Sequence, residues 1–202
     1  MRLVEELKKK LVDYFITNKI VQEEKRAILR YGSEIIISST LTIGLCLVIS
    51  GIIGQLVLCI VFLLTYCPLR IFSGGFHAKT QKKCTFLFII LVMLNIFISG
   101  FISEESYILN TFKWIAILIV LILSPVGCIE NPISFELKKK MKVKASFCLG
   151  LEIFAIEFFK EYNYEIANCA SCALIALAFI LIAGILNTEL QKKKMTIEEV
   201  KK

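Results

Sequence analysis

The chain has 202 residues, 57% of them apolar, with a mean hydropathy of +0.75 and a formal net charge of +7. A water-soluble domain of this length disperses its apolar residues at helical or strand spacing, whereas residues 35–67, 84–103 and 114–129 here carry no charged side chain at all. Apolar blocks of about 18 residues or more reach across a hydrocarbon layer of about 30 Å; they exclude a core-and-surface globule, and their unbroken apolarity excludes an alternating membrane barrel.

The N-terminal MRLVEELKKKLVDYF has scattered charges, no apolar core region and no small-residue cleavage site, so it does not read as a cleavable signal. Leu3, Leu7, Leu11 and Phe15 recur every fourth residue with Lys8, Lys9 and Lys10 turned away. This predicts an amphipathic interfacial segment over 2–30. The apolar stretch that follows is too long for one span, and Gly51, Gly54 and Gln55 divide it into spans at about 35–51 and 53–67. Pro68 is expected to stop the second, because a proline drives the preceding residue out of helical geometry. Further spans are expected at about 84–102, at 108–124 ended by Pro125, at 145–159 and at 166–186. The span at 145–159 is short and holds Glu152 and Glu157.

Charge placement supports it nonetheless. With six spans and the N-terminus inside, segments 1–34, 68–83, 125–144 and 187–202 are cytoplasmic and hold 8, 4, 5 and 5 Lys and Arg, 22 of the chain's 24. Only Lys113 and Lys160 lie outside, as the positive-inside rule requires. The expected fold is therefore an all-α integral membrane protein, one membrane domain over 1–202, a six-helix bundle with an N-terminal amphipathic interfacial helix. The net charge reads as topology and attraction to anionic lipid; with no basic stripe apart from the membrane flanks, nucleic acid is not an expected partner.

The segment Arg70-Ile-Phe-Ser-Gly-Gly-Phe-His77-Ala-Lys-Thr-Gln-Lys-Lys-Cys84 stands apart. It holds the chain's one histidine, and Gly74 and Gly75 allow a sharp turn. Cys84 follows two lysines at the start of a span, where a helix N-terminus and nearby cations favour a thiolate. Histidine is the usual base for such a nucleophile and the usual acid for a leaving amine. Seven residues along one continuous helix would hold the two side chains about 10 Å apart, so the pair works only if the loop folds back to set His77 over the span. A lone His and Cys at this spacing are otherwise idle in most loops, and Ser73 is a weaker alternative nucleophile.

Arg70, Gly74, Gly75, His77, Ala78 and Cys84, with the length, the amphipathic start and the span positions, resemble the accessory gene regulator protein B family of Gram-positive quorum-sensing systems over essentially the whole chain. The resemblance implies a cell-membrane cysteine endopeptidase that processes the small precursor of an autoinducing peptide, with Cys84 as nucleophile and His77 as its partner. Arg70 and Gly75 would shape the site or contact substrate. A substrate cysteine would take over the acyl group and close a thiolactone ring. No metal or cofactor is required. The expected partners are the propeptide with its acidic C-terminal tail, membrane lipid and, as an open option, a second copy of the chain.

Other residues carry weaker readings. Lys138, Lys139 and Lys140, with Lys142 and Lys144, form a basic loop that is either an inside anchor or a contact for that acidic tail. Glu152, within a span, is either functional or a packing group, and it leaves open a rival reading as a small transporter or peptide exporter. Glu157, nearer the outer face, is expected to snorkel. Cys169-Ala-Ser-Cys172 has a CxxC form, but in an apolar helix with no second pair it is expected to be structural. Cys46, Cys59, Cys67 and Cys148 likewise sit in or beside apolar spans as small hydrophobes rather than as a disulfide frame.

Overall fold

A computed structural model describes residues 2–18, 20–74, 81–102, 106–126 and 135–200. Among these the chain is all-α, with seven helices: α1 (Arg2–Thr17), α2 (Arg26–Ile52), α3 (Leu56–Ser73), α4 (Gln81–Phe101), α5 (Tyr107–Leu123), α6 (Phe135–Lys160) and α7 (Tyr164–Val200), with a short 3-10 turn at Glu23–Lys25. Four segments are long and apolar enough to cross a membrane, Glu23–Ile52, Leu56–Ser73, Lys83–Phe101 and Tyr164–Gln191. The expected count is six. The other two candidates are α5, apolar but only 17 residues long, and α6, whose apolar half is joined to a lysine-rich start.

The N-terminal segment is not one piece: α1 ends at Thr17 and α2 begins at Arg26, well before the expected position 35. An Asp13–Arg26 ion pair at 2.9 Å joins the two helices, and Val12 is buried. The hairpin between α2 and α3 falls where Gly51, Gly54 and Gln55 place it. Gly54 has φ +75°, and the Gln55 N–H donates to the Ser50 carbonyl at 2.8 Å.

Pro68 does not stop α3. The helix runs five residues further to Ser73 and ends at Gly74, whose φ is +69° and whose N–H donates to the Arg70 carbonyl at 3.1 Å. A proline removes one backbone donor, and its effect on the preceding residue is a bias rather than a bar. Here the last turn is held by packing, since Leu69 and Ser73 are fully buried. Pro125 does act as expected: Ser124 before it is extended, with φ −72° and ψ 140°, and α5 ends at Leu123.

Helix α7 packs against α3, α4, α5 and α6. Its buried Ala167, Cys169, Ala170, Ala173 and Ala178 let the neighbouring backbones come close, which is how helices associate where water supplies no drive. Leu174, Leu177 and Leu181 of α7 meet Phe62 and Leu69 of α3, Val92 of α4, Val120 of α5 and Leu149 of α6 in one buried cluster. The exterior is apolar too. Ile52, Phe101 and Phe154 are more than 70% exposed, a surface that hydrocarbon solvates and water does not. Glu157 departs from expectation: instead of snorkelling alone it pairs with Lys113 of α5, a lysine only 3% exposed. A lysine so buried needs an opposite charge close by, and Glu157 supplies it.

Candidate active site

The last turn of α3 carries Arg70 and delivers the chain to Gly74. This junction is held from across the bundle: the Val126 N–H donates to the Ser73 carbonyl at 2.9 Å, and Gly74 bridges to Val126. A Cβ on Gly74 would overlap the Val126 carbonyl oxygen, so the position demands glycine for space as well as for its positive φ. The Pro125 turn after α5 thus sets where the glycine-paired segment begins.

Cys84 lies in the first turn of α4, half-buried and a free thiol. The turn is anchored beside it: the Thr85 and Thr42 hydroxyls share a 3.1 Å hydrogen bond, and Thr42 donates to the Ser38 carbonyl at 2.8 Å, tying α4 to α2. From α3, Tyr66 stacks on Phe62 (centroids 5.1 Å apart) and tilts against Phe88 of α4 (5.7 Å). The end of α3, with Arg70 and Gly74, and the first turn of α4, with Cys84, belong to helices that meet through this Tyr66–Phe88 contact, which sets them toward one end of the bundle. His77 and Gly75 lie outside the described residues.

Lys138, Lys139 and Lys140 are exposed, but they stand on the first turns of α6 and not on a loop. No Gly or Pro interrupts residues 135–149, and a run of lysines with Leu137 and Met141 is made of good helix formers. Further along α6, Lys144 Nζ lies 5.8 Å from the Phe72 ring centre, next to the end of α3. Ser73 is fully buried, which removes it as a nucleophile open to substrate. Glu152, on α6, accepts from the Cys148 thiol at 3.7 Å, and its other carboxylate oxygen is buried without a partner. Cys169 donates to the Leu58 carbonyl at 3.3 Å and is fully buried, a packed core thiol. The seven described cysteines are all free.

The sequence reading missed Val126, Thr42 and Thr85, and it read Lys113 as an external charge without its Glu157 partner. The first three act through contacts between residues far apart in sequence, for which one sequence holds no signal. Lys113 did hold one, a lone cation next to an apolar block.

A family profile described as Accessory gene regulator B matches residues 8–183. An AgrB-like protein 2 of Clostridium perfringens is 29% identical over 185 residues, 86% of each chain. An accessory gene regulator protein B of Staphylococcus saprophyticus is 31% identical over 120 residues, 56% of this chain and 63% of its own. An AgrB-like protein of Listeria innocua is 29% identical over 143 residues, 69% of this chain and 70% of its own. No solved structure matches significantly.

Proposed function

The chain belongs to the accessory gene regulator B family, and from that premise we propose that it is a multi-pass cell-membrane cysteine endopeptidase that processes an autoinducing-peptide precursor on the cytoplasmic side. The observation that supports the reading is Cys84 in the first turn of α4, next to α3, whose last turn carries Arg70 and ends at Gly74.

In this reading Cys84 Sγ attacks a peptide carbonyl of the precursor. His77 takes the thiol proton and returns it to the departing amine. The precursor's acidic tail leaves with that amine, and the acyl group stays as a thioester on Cys84. A substrate cysteine then attacks the thioester, its sulfur replaces that of Cys84, and a thiolactone ring closes. Exchange of one thioester for another is nearly even in energy while amide to thioester is uphill, so removal of the freed tail must draw the sequence forward. Arg70 and Gly75 shape the site or hold the substrate chain. Purified protein in liposomes tests the activity: it should cut a candidate precursor without any ion gradient, whereas a transporter would move solute without cutting.

The domain is one membrane bundle of six spans with both termini inside. Helix α6, with 26 residues, is about 39 Å long at 1.5 Å per residue, enough to cross. A turn of three residues returns it to α7. Introduced cysteines at Lys82 and Lys193 should resist an impermeant thiol reagent in intact cells and react after permeabilisation; labelling at either in intact cells overturns the topology.

The exposed face of Lys138, Lys139 and Lys140 is suited to the acidic tail of the substrate. Replacing all three with Gln should weaken substrate capture and flatten its salt dependence, while insertion persists because three other basic segments remain inside. Unchanged capture would leave the lysines as an anchor alone.

A further inference from the structure

At the end of the bundle remote from Cys84, α5, α6 and α7 enclose a cavity of about 280 Å³ lined by Asn110, Lys113, Lys160, Tyr164, Asn168 and Ser171 among others. From this cavity we infer a binding site for the phosphate group of an anionic phospholipid; its assignment to the outer leaflet rests on the six-span topology proposed above.

The charge balance of the cavity is the first reason. Lys113 is buried and its ammonium pairs with Glu157. Lys160 forms no ion pair among the described residues, so the cavity lining brings two lysines and no carboxylate of its own, while Glu161 and Glu165 at this end are exposed and outside the lining. Glu157 is itself 44% exposed at its side chain, so water weakens its hold on Lys113 and an entering oxyanion can share that ammonium. Asn110 of α5 and Tyr164 of α7 also line the cavity and carry further donors.

Size and surroundings identify the class of ligand. The volume falls just below the range of about 300–1,000 Å³ usual for whole small-molecule ligands. It admits a phosphate headgroup and excludes a cyclic peptide of several residues. Helices α5 and α6 meet sparsely. Phe112 and Ile115 on α5 and Phe159 on α6 are exposed along this flank, an apolar surface for acyl chains. Tyr107, Trp114 and Tyr162 are exposed at the same end, and aromatic residues of this kind mark the headgroup level of a bilayer. Basic pockets between membrane helices hold anionic headgroups on the cytoplasmic side, and the same pairing of ammonium with phosphate is inferred for this cavity on the outer side.

Native mass spectrometry of the purified full-length protein tests this with phosphatidylglycerol, phosphatidylcholine and glycerol phosphate as separate probes. Phosphatidylglycerol should remain bound where phosphatidylcholine is lost. Lys160→Gln should weaken its binding about fivefold, the factor for about 1 kcal/mol per lysine at an anionic surface, while precursor cleavage in detergent stays normal and reports an intact fold. Glu157→Gln, which frees the Lys113 ammonium, should strengthen binding. Equal retention of the two lipids, or unchanged phosphatidylglycerol binding by Lys160→Gln, overturns the site. Binding of glycerol phosphate with no preference for the lipid assigns the cavity to free phosphate and overturns the lipid assignment. A cysteine at position 160 should be labelled by an impermeant reagent in intact cells. Labelling only after permeabilisation overturns the outer leaflet and the topology, a failure that the binding data alone would not produce.

Discussion

Cys84→Ala should abolish precursor cleavage while the protein still inserts into the membrane. Of the seven described thiols, Cys46, Cys59 and Cys169 are fully buried, and Cys67, Cys148 and Cys172 lie on apolar helices that face the bundle or lipid. Cys84 alone sits in the first turn of a helix, next to Lys83. Cys84→Ser is the sharper variant. It keeps size and hydrogen bonding but replaces a thiolate by a far weaker nucleophile, so it too should be inactive. His77→Ala and His77→Gln should behave alike, because Gln restores hydrogen bonding and not proton transfer; the loss expected for a general base is about 10²–10⁴-fold. Combining His77→Ala with Cys84→Ala should cost no more than Cys84→Ala alone, since both groups serve one step. An intermediate trapped on the wild-type enzyme should be cleaved by hydroxylamine, as a thioester is, and should be absent from Cys84→Ala. Cleavage at the normal rate by Cys84→Ala would discard the dyad and favour the transporter reading.

What the sequence made legible follows from what its signals are. Helices show through because an apolar run with Gly or Pro at its edge has a local physical cause, and so the hairpin at Gly54 and the stop at Pro125 were readable. Pro68 misled because proline's local bias competes with packing that is not local: Leu69 and Ser73 beyond it are fully buried, and the helix keeps them there. The lysines at 138–140 misled for another reason. A charge run looks like a loop beside a membrane, yet lysine is a good helix former and nothing there breaks the backbone. The site divides in the same way. Cys84 at a helix start is a local fact and was expected; the anchors that hold its surroundings, Thr42 to Thr85 and Ser73 to Val126, join residues more than forty positions apart. The Lys113–Glu157 pair is of that second kind, joining two residues that were read separately, one as an external charge and one as a snorkelling acid.

Gly74→Ala should impair cleavage roughly tenfold or more without preventing insertion, and Gly54→Ala is its control. Both glycines have a positive φ, +69° at Gly74 and +75° at Gly54, and an L-residue held in such sparsely populated backbone regions costs on the order of 1–3 kcal/mol. The surroundings differ. A Cβ at Gly54 meets nothing within 4 Å, whereas one at Gly74 strikes the Val126 carbonyl. That carbonyl has little freedom to retreat, because the N–H of the same residue is bonded to Ser73 at 2.9 Å and Pro125 precedes it. The Ala variant must therefore open the Ser73–Val126 junction and shift the start of the segment that leads to His77. A barrier change of about 1.4 kcal/mol is tenfold in rate, so even the backbone term alone, if felt at the reacting groups, reaches that size. Gly54 lies at the opposite end of α3, and its Ala variant should cut the precursor at close to the normal rate while losing a similar increment of thermal stability. Measured side by side, equal cleavage by the two variants would show that the Gly74–Val126 contact shapes the helix end and not the chemistry.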